Sequence, residues 1–588
     1  MKKEHDVMNL RKKFENADKN VLFRHLIFIA FLYFASCLLL WKCKIGFGNV
    51  DESFYLTIPY RLFQGDALFV HEWHLSQMAG VLTYPIVSLY LKIKGSTVGI
   101  VLFMRYVCTV LQLLTAVFLY IRLHKINWFG GLISSLSYVL YIPFGIMALS
   151  YNSMAVMLLV ICTTILITAE KHKSVQYVIA GLFFAGAVLC CPYLAFVFIL
   201  YAVAVFAYCL FAKIRKKTFS KDCTPYSIKG VLFLGIGAAI AAVIFAVFVL
   251  SRASLSEIIE AFPSIMNDPE HPSVTLKEIT QKFFRVIYQS NAMSKYIYPV
   301  LLALFGVCLS DKQRHGRKVV YVSIAAVGVV IMIIASFHLN NYINHIMWPL
   351  NILALFIVAV SEKRIVRYIF ACNWIIGIAY AFCLNATSNQ GFYAISSASS
   401  VALVGSIMII AVFIAEVKEK QKNTDAEQFV MILVCVSLVL QLGCQTVLRY
   451  KSVFWEKDMK SQTQLIEDGH NKGLYVTESK LNYYYNCLDN LKTLEEYDSD
   501  KVLFLSDTTW YYLAAKTQLC TYSAWMSGVN EHSLDRLEEY YRISPEKLPD
   551  LVYADVANKA IAEKFCERFG YTINREDAVI IATKNVAE

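Results

Sequence analysis

Long apolar runs dominate this sequence, and they restrict what it can fold into more than any other feature. Many are roughly 18 to 25 residues long, close to the ~20 residues that an α-helix needs to cross the hydrocarbon core of a bilayer. With 57% hydrophobic and 17% charged residues, the 588-residue chain is also far from a globular composition. The sequence predicts a polytopic, all-α membrane protein with about thirteen transmembrane helices. The predicted crossings are residues 22–41, 98–121, 127–149, 153–169, 176–190, 193–212, 230–250, 296–310, 319–337, 343–360, 368–385, 398–416 and 429–448.

Positive charge in the loops orients these helices. If the N-terminus is cytoplasmic, every predicted inner segment carries at least two Lys or Arg, as in residues 213–221, whereas four of the six outer loops carry none. The two exceptions are the long outer loops 42–97 and 251–295. An odd number of crossings then places the C-terminus outside. The sequence predicts a multi-pass plasma-membrane protein with its N-terminus inside and its C-terminus outside.

The last 139 residues differ in character from the rest of the chain. Residues 1–449 hold 39 Lys and Arg against 21 Asp and Glu, whereas residues 450–588 hold 16 against 23. The basic excess lies in loops between apolar runs, as membrane orientation requires, so we predict no nucleic-acid partner. In the tail, short apolar segments such as 501–506 and 551–555 alternate with helix-like charged stretches. We therefore predict a membrane domain, 1–449, followed by an extracytoplasmic α/β domain, 450–588.

Two adjacent carboxylates follow the first predicted crossing. Asp51 and Glu52 lie early in the first long outer loop. A partly desolvated carboxylate is a better base than a hydrated one, so this pair could remove a proton from an acceptor hydroxyl at the membrane surface. Alternatively, Asp51 could cap a helix whose first turn contains Glu52, where the helix dipole favours negative charge. The two roles are compatible.

Further along the same loop, Glu72 and His74 could ligate a metal ion or form a hydrogen-bonded pair at the membrane interface. The loop has two histidines, His71 and His74, but they are three residues apart, not the four of a zinc-binding HExxH helix. Arg105 is the clear ionisable residue within a predicted crossing. It could contact substrate, or extend its guanidinium to the outer interface.

Two other polar groups belong to the predicted outer face. Lys282 and Arg285 are three residues apart on one face of an amphipathic stretch and could bind a lipid phosphate or anchor that helix to anionic headgroups. His338, Asn341 and His345 lie at the outer end of two predicted crossings. They could line the same cavity as the first loop, or cap helices.

This order of features resembles the GT-C superfamily of membrane glycosyltransferases, particularly bacterial relatives of protein mannosyltransferases and aminoarabinose transferases. The similar features are a cytoplasmic start, one crossing, the pair Asp51–Glu52 followed by Tyr55 and Asp66, then many crossings and an outer domain. The resemblance is one of organisation and spans nearly the whole chain. Phe54 and Tyr84 stand where the aminoarabinose-transferase pattern has an Arg and a Lys.

The resemblance implies an inverting enzyme that moves a sugar from a polyprenyl-phosphate donor to a hydroxyl of a glycan, lipid or protein acceptor at the outer face. Asp51 would be the catalytic base and Glu52 would support it. No cofactor is certain, and a divalent metal ion near the phosphate could assist. The cations Arg61, Arg105, Lys282 and Arg285 are the candidates to hold the phosphate. The full set of predicted substrate-binding residues is Tyr55, Arg61, Asp66, Glu72, His74, Arg105, Lys282, Arg285, His338, Asn341 and His345.

The alternative function is a transporter or a flippase for lipid-linked sugars, with an outer domain that binds a partner. Transporters commonly contain repeated halves, broken helices and polar sites at the membrane midplane. The sequence shows no convincing repeat, and Cys191–Pro192 is the one hint of a broken helix.

Overall fold

The structure is a computed structural model that describes residues 2–48, 50–141, 147–170, 173–214, 223–268, 274–311, 314–337, 343–388, 390–419, 425–453, 456, 458–526 and 529–585. Helices make up the N-terminal part. In chain order they are α1 (Lys2–Lys42), α2 (Asp51–Phe63), α3 (Gly80–Lys94), α4 (Ile100–Leu123), α5 (Trp128–Val139), α6 (Tyr151–Thr168), α7 (Ser174–Cys190), α8 (Leu194–Ile214), α9 (Ile228–Leu250), α10 (Leu255–Met266), α11 (Leu276–Tyr288), α12 (Ser294–Ser310), α13 (Arg314–Phe337), α14 (Trp348–Val360), α15 (Arg364–Ile369), α16 (Ile375–Thr387), α17 (Phe392–Ala398), α18 (Ser400–Glu419) and α19 (Asp425–Lys451).

Nine helical segments in the described ranges are long and apolar enough to cross a membrane. They are Val21–Lys42 of α1, then α4, α6, the Leu194–Phe211 part of α8, α9, the Val319–Phe337 part of α13, the continuous helix Arg364–Thr387 that joins α15 to α16 through a π-helical turn, α18 and α19. Three shorter apolar helices, α7, α12 and the segment His345–Val360, correspond to three further predicted crossings. The predicted fold class, a polytopic helical membrane protein with a C-terminal α/β domain, is confirmed.

One predicted crossing contains a shorter helix than expected. The stretch 127–149 forms α5, which ends at Val139 and has 12 residues. Such a helix is about 18 Å long, whereas the hydrocarbon core is about 30 Å thick. Asn127 caps its start by accepting a hydrogen bond from the backbone of Gly130. Hydropathy alone overestimated this element because the apolar run continues beyond the helix end.

Burial separates central from peripheral helices. In α18, 94% of the membrane-spanning segment is buried, whereas in α9 the share is 11%. The peripheral α9 packs closely on α7 through two glycines: a Cβ atom at Gly181 would lie 2.0 Å from the Leu234 carbonyl oxygen, and one at Gly237 would lie 2.0 Å from that of Val178. Small residues that let two backbones approach are typical of helix contacts within membranes.

The C-terminal domain contains two sheets. Strands β1 (Gln464–Leu465) and β2 (Tyr475–Val476) pair antiparallel. The larger sheet has the order β4-β3-β5-β7-β6 and consists of β3 (Lys501–Leu505), β4 (Gln518–Leu519), β5 (Leu551–Asp555), β6 (Tyr571–Glu576) and β7 (Val579–Lys584). Its strands β4, β3 and β5 are parallel, and β7 and β6 add antiparallel. The helices of this domain are α20 (Glu478–Leu491), α21 (Tyr511–Ala515), α22 (Glu531–Ile543) and α23 (Lys559–Phe569).

The C-terminal domain lies at the end of the bundle where α1 and α19 finish, which we call the domain face. The backbone nitrogen of Gly46 donates to the Tyr475 carbonyl oxygen at 2.8 Å. The backbone nitrogen of Tyr475 donates to the Lys44 carbonyl oxygen at 2.6 Å. The loop after α1 is thereby joined to β2. Asp51, a few residues beyond this junction, therefore lies on the same side of the helix bundle as the C-terminal domain.

Candidate active site

Asp51 is the first residue of α2 and is partly buried at the domain face. The Thr509 hydroxyl donates to the Val50 carbonyl oxygen at 2.8 Å, so the C-terminal domain contacts the start of this helix. In the described part of the chain, no hydrogen bond or ion pair engages the Asp51 carboxylate. Burial, and then the neighbouring charge of Glu52, raise the pKa of Asp51 to about 6. The group is thus close to the pKa that suits a general base near neutral pH.

Two phenol groups, those of Tyr55 and Tyr151, lie near this carboxylate. Tyr55, one turn further along α2, meets Tyr151 at the start of α6 edge-on, with 6.0 Å between ring centroids. Burial and then the proximity of Tyr151, Asp51 and Tyr393 raise the pKa of Tyr55 well above its ordinary value, so its hydroxyl stays protonated. The ring of His345 lies 6.1 Å from that of Tyr393. Of the predicted site residues, Asp51 and Tyr55 are therefore neighbours, and His345 is connected to Tyr55 through Tyr393.

Glu52 faces away from this neighbourhood and pairs with Arg105. Arg105 donates to the two carboxylate oxygens of Glu52 from Nε and a terminal nitrogen, both at 2.6 Å. Its remaining donors reach the carbonyl oxygens of Cys43 at 2.8 Å and Gly46 at 3.0 Å. This buried pair fixes the start of α2 and the loop after α1 to α4. The structure thus places Glu52 and Arg105 in a contact that holds the start of α2 in position.

We expect Glu52→Gln to lower the free energy of unfolding by about 1.5–3 kcal/mol, the range for a lost hydrogen bond to a charged group. The glutamine keeps one acceptor but leaves the buried Arg105 without a counter-charge. Thermal or denaturant unfolding in detergent measures the change. Glu496→Gln removes an exposed pairing with Arg575 at 3.2 Å and serves as the control. Equal stability of the two variants would contradict the assignment.

Arg61, Asp66 and Glu72 form a buried ion cluster between the first loop and the C-terminal domain. Arg61 Nε donates to Asp66 at 2.9 Å, and a terminal nitrogen donates to Glu72 at 2.6 Å. Its other terminal nitrogen reaches the Thr521 carbonyl oxygen at 3.0 Å, and Lys547 pairs with Asp66. Although burial opposes ionisation, Arg61 and Lys547 hold the pKa of Asp66 below its ordinary value. The structure places these predicted substrate-binding residues in the contact between domains.

Glu72 and His74 do not converge on a common point. One Glu72 oxygen accepts from Arg61 and the other accepts from the His74 backbone nitrogen at 3.0 Å. The His74 ring accepts from the Ser76 backbone through Nδ1 at 3.1 Å. Within the described ranges, no group of three or more His, Cys, Asp or Glu side chains is arranged to hold a metal ion.

The His74 ring instead lines a cavity of about 240 Å³ between the first loop and the C-terminal domain. Trp73, Trp525 and Arg536 also line it. Phe54 of α2 contacts both His74, with ring centroids 4.6 Å apart, and Trp525, at 5.3 Å. Sequence patterns do not single out Arg536 as a neighbour of His74, because the C-terminal domain supplies it from more than 450 positions away.

Lys282 and Arg285 lie on the amphipathic helix α11. Lys282 donates to the Ser388 carbonyl oxygen at 2.9 Å, and burial followed by the charge of Arg285 lowers its pKa. The Arg285 side chain is exposed and makes no hydrogen bond or ion pair with any residue that the structure describes. The predicted residues His338 and Asn341 lie outside the described residues.

No family model and no curated protein sequence matches this chain. It is similar to the archaeal oligosaccharyltransferase AglB from Archaeoglobus fulgidus in complex with an inhibitory peptide and a dolichol-phosphate, with 12% identity and a TM-score of 0.42 over 91% of this chain and 70% of that one. A second structure of the Archaeoglobus fulgidus oligosaccharyltransferase, tethered with an acceptor peptide, is 12% identical to this chain and has a TM-score of 0.40. The match covers 90% of this chain and 69% of that one.

A third similar structure is ArnT from Cupriavidus metallidurans bound to undecaprenyl phosphate. Its identity to this chain is 11% and its TM-score is 0.42, over 95% of this chain and 97% of that one.

Proposed function

We propose that this chain is an integral membrane glycosyltransferase that moves a sugar from a polyprenyl-phosphate donor to an acceptor hydroxyl at the outer membrane face. The observation that carries the proposal is the state of Asp51. Its carboxylate is partly buried, makes no hydrogen bond or ion pair with another described residue, and has a pKa raised to about 6. A structural carboxylate in such a position would be expected to have a partner, as Glu52 and Asp66 have.

The reaction that fits this geometry is a single displacement. Asp51 takes the proton of the acceptor hydroxyl, whose oxygen attacks the anomeric carbon while the bond from that carbon to the lipid phosphate breaks. The phosphate leaves with the bonding electron pair, and the configuration at the anomeric carbon inverts. The hydroxyls of Tyr55 and Tyr151, close to Asp51, can orient the acceptor or the sugar. Cationic side chains or a divalent metal ion near the lipid phosphate would stabilise the negative charge on the leaving group.

The proposal is tested by supplying the purified protein, in lipid nanodiscs, with polyprenyl-phosphate sugars and following release of the sugar to acceptors by mass spectrometry. Donor-dependent transfer supports it. If several donors give no transfer and the reconstituted protein moves the intact lipid-linked sugar between leaflets, the transporter or flippase function replaces it.

The pH dependence of transfer is a second test. We expect kcat/KM to rise between pH 5 and pH 7 with a midpoint near 6, because Asp51 accepts a proton only when it is ionised and burial raises its pKa to about 6. The measurement is initial transfer rate at low donor concentration across this pH range. A profile without an ionisation in this range, in protein that stays folded, would remove Asp51 as the base.

A further inference from the structure

Arg449, in the last turn of α19, is buried and has no counter-ion among the described residues. Only 2% of its surface is exposed, and its Nε and one terminal nitrogen are buried without a hydrogen-bond partner in the described ranges. No described carboxylate forms an ion pair with it. Buried charges in proteins are normally paired, because transfer of an isolated charge from water is strongly unfavourable. The missing counter-charge therefore points to a ligand.

A second cation lies beside it. Lys42, at the end of α1, is 4% exposed, and its Nζ donates to the Tyr450 carbonyl oxygen at 2.8 Å. Its other contact, Met459 Sδ at 3.6 Å, is a weak acceptor. Lys42 and Arg449 both line a small cavity with the pair Glu52–Arg105. Glu52 is paired with Arg105, whereas neither Lys42 nor Arg449 forms an ion pair with a described residue at this cavity.

The cavity has a volume of about 20 Å³, larger than the roughly 10–15 Å³ that one water molecule requires. Besides the charged groups, the backbone of Gly46 and Gly48 lines it. A Cβ atom at Gly46 would lie 2.4 Å from the Val453 side chain, so this backbone approaches closely because the residue is glycine. A compact anion with several oxygens fits such a lining, and the planar guanidinium of Arg449 suits two oxygens of a phosphate.

The cavity lies at the depth expected of lipid headgroups. Trp41 and Tyr450, each next to one of the two cations, stack with 5.9 Å between ring centroids and are 42% and 48% exposed. Exposed aromatic residues at the ends of membrane-spanning helices mark the boundary between hydrocarbon and water. Only 6% of the spanning segment of α1 is buried, so this side of the cavity borders the lipid-facing surface.

We propose that Arg449 and Lys42 bind a phosphate group, carried by a membrane lipid or free in solution. This site would exist whether or not the chain transfers sugar. The further step, that the phosphate belongs to the sugar donor, rests on the proposed function.

The test measures thermal stability and ligand binding of the full chain in lipid nanodiscs. One sample contains a polyprenyl phosphate and a second contains the corresponding polyprenol. A third contains neither lipid, and inorganic phosphate is added to it at constant ionic strength. We expect the polyprenyl phosphate to stabilise the wild-type protein and the polyprenol not to do so. In Arg449→Gln, affinity should fall at least about tenfold, because a charge-assisted hydrogen bond is lost. Arg449→Lys should retain part of the affinity. Arg367→Gln, which removes an exposed cation of α15, should bind like the wild type.

Stability without ligand distinguishes an anion site from a structural arginine. Because Arg449 has no ion pair in the described ranges, Arg449→Met should melt at the wild-type temperature or above it when no phosphate is present. Stabilisation by inorganic phosphate but not by the lipid would assign the site to free phosphate. Equal binding by wild type and Arg449→Gln, or no binding of either form of phosphate, would overturn the proposal. Asp51→Asn should still bind the lipid, so binding without transfer by the wild type would reject the proposed function and keep the site.

Discussion

Asp51→Asn is expected to lower the rate of sugar transfer by about 10²–10⁴-fold, the range typical of a lost general base, while the fold is retained. Asparagine has the same shape as aspartate but cannot take the acceptor proton. The carboxylate has no ion pair in the described structure, and burial raises its pKa, so removing its charge should not destabilise the protein. Initial transfer rates and the melting temperature of the reconstituted protein measure the two effects.

The matched control is Asp498→Asn, the same change at an exposed position of the C-terminal domain. Its transfer rate and melting temperature should equal those of the wild type. Transfer at the wild-type rate by a folded Asp51→Asn protein would eliminate Asp51 as the base. A large fall in melting temperature would instead indicate a structural role for this carboxylate.

The second large effect is expected from Arg61→Met, which should destabilise the contact between the two domains by about 3–5 kcal/mol. The change preserves most of the side-chain volume but leaves Glu72 buried without its cation. It also removes one of the two cations that pair with Asp66. Unfolding in detergent, together with the rate of proteolysis near residues 452–463, measures the loss. The C-terminal domain should become sensitive to protease at lower temperature than in the wild type.

Arg542→Met is the control for this prediction. Arg542 also joins the second long loop to the C-terminal domain, through Glu260 at 3.1 Å, but its side chain is 56% exposed. An exposed pair contributes about 0–1 kcal/mol, so this variant should be close to the wild type. If both variants lose the same amount, burial of the Arg61 cluster is not what stabilises the contact.

The Arg61 cluster also has a defined pH dependence. Its cations lower the pKa of Asp66 in the folded protein despite burial, so the unfolded state binds the proton more readily. The contribution of Asp66 to the free energy of unfolding is therefore complete above the ordinary aspartate pKa of about 3.9. It is lost only as the pH falls through the lower pKa that Asp66 has in the folded protein.

The helices of the membrane part could be predicted because hydropathy is a property of contiguous residues. The apolar stretches near 230–250 and 429–448 form α9 and α19, as their hydropathy alone predicts. The apolar segments 501–506 and 551–555 likewise form the parallel strands β3 and β5. The prediction is least accurate at α5, because this helix ends at Val139 although the apolar run continues past that residue.

The roles of the charged residues could not be predicted in the same way. The sequence indicates Arg61 as a phosphate-binding cation, but in the structure it reaches Thr521, 460 positions later, and Lys547 pairs with Asp66 across 481 positions. Nothing near Arg61 in the sequence indicates those partners. Arg449 does not stand out in the sequence, because a basic residue at a helix end is common in membrane proteins.

The sequence by itself determined where the apolar helices lie, that an α/β domain comes after them, and that an acidic pair comes soon after the first crossing. Only the tertiary structure decided which charges have partners: Glu52 is neutralised by Arg105, whereas Asp51 and Arg449 have no ion pair within the described structure. The physical reason is the range of the interactions. Hydropathy acts through neighbouring residues along one helix, but the protonation and pairing of a buried charge depend on groups that folding brings from distant parts of the chain.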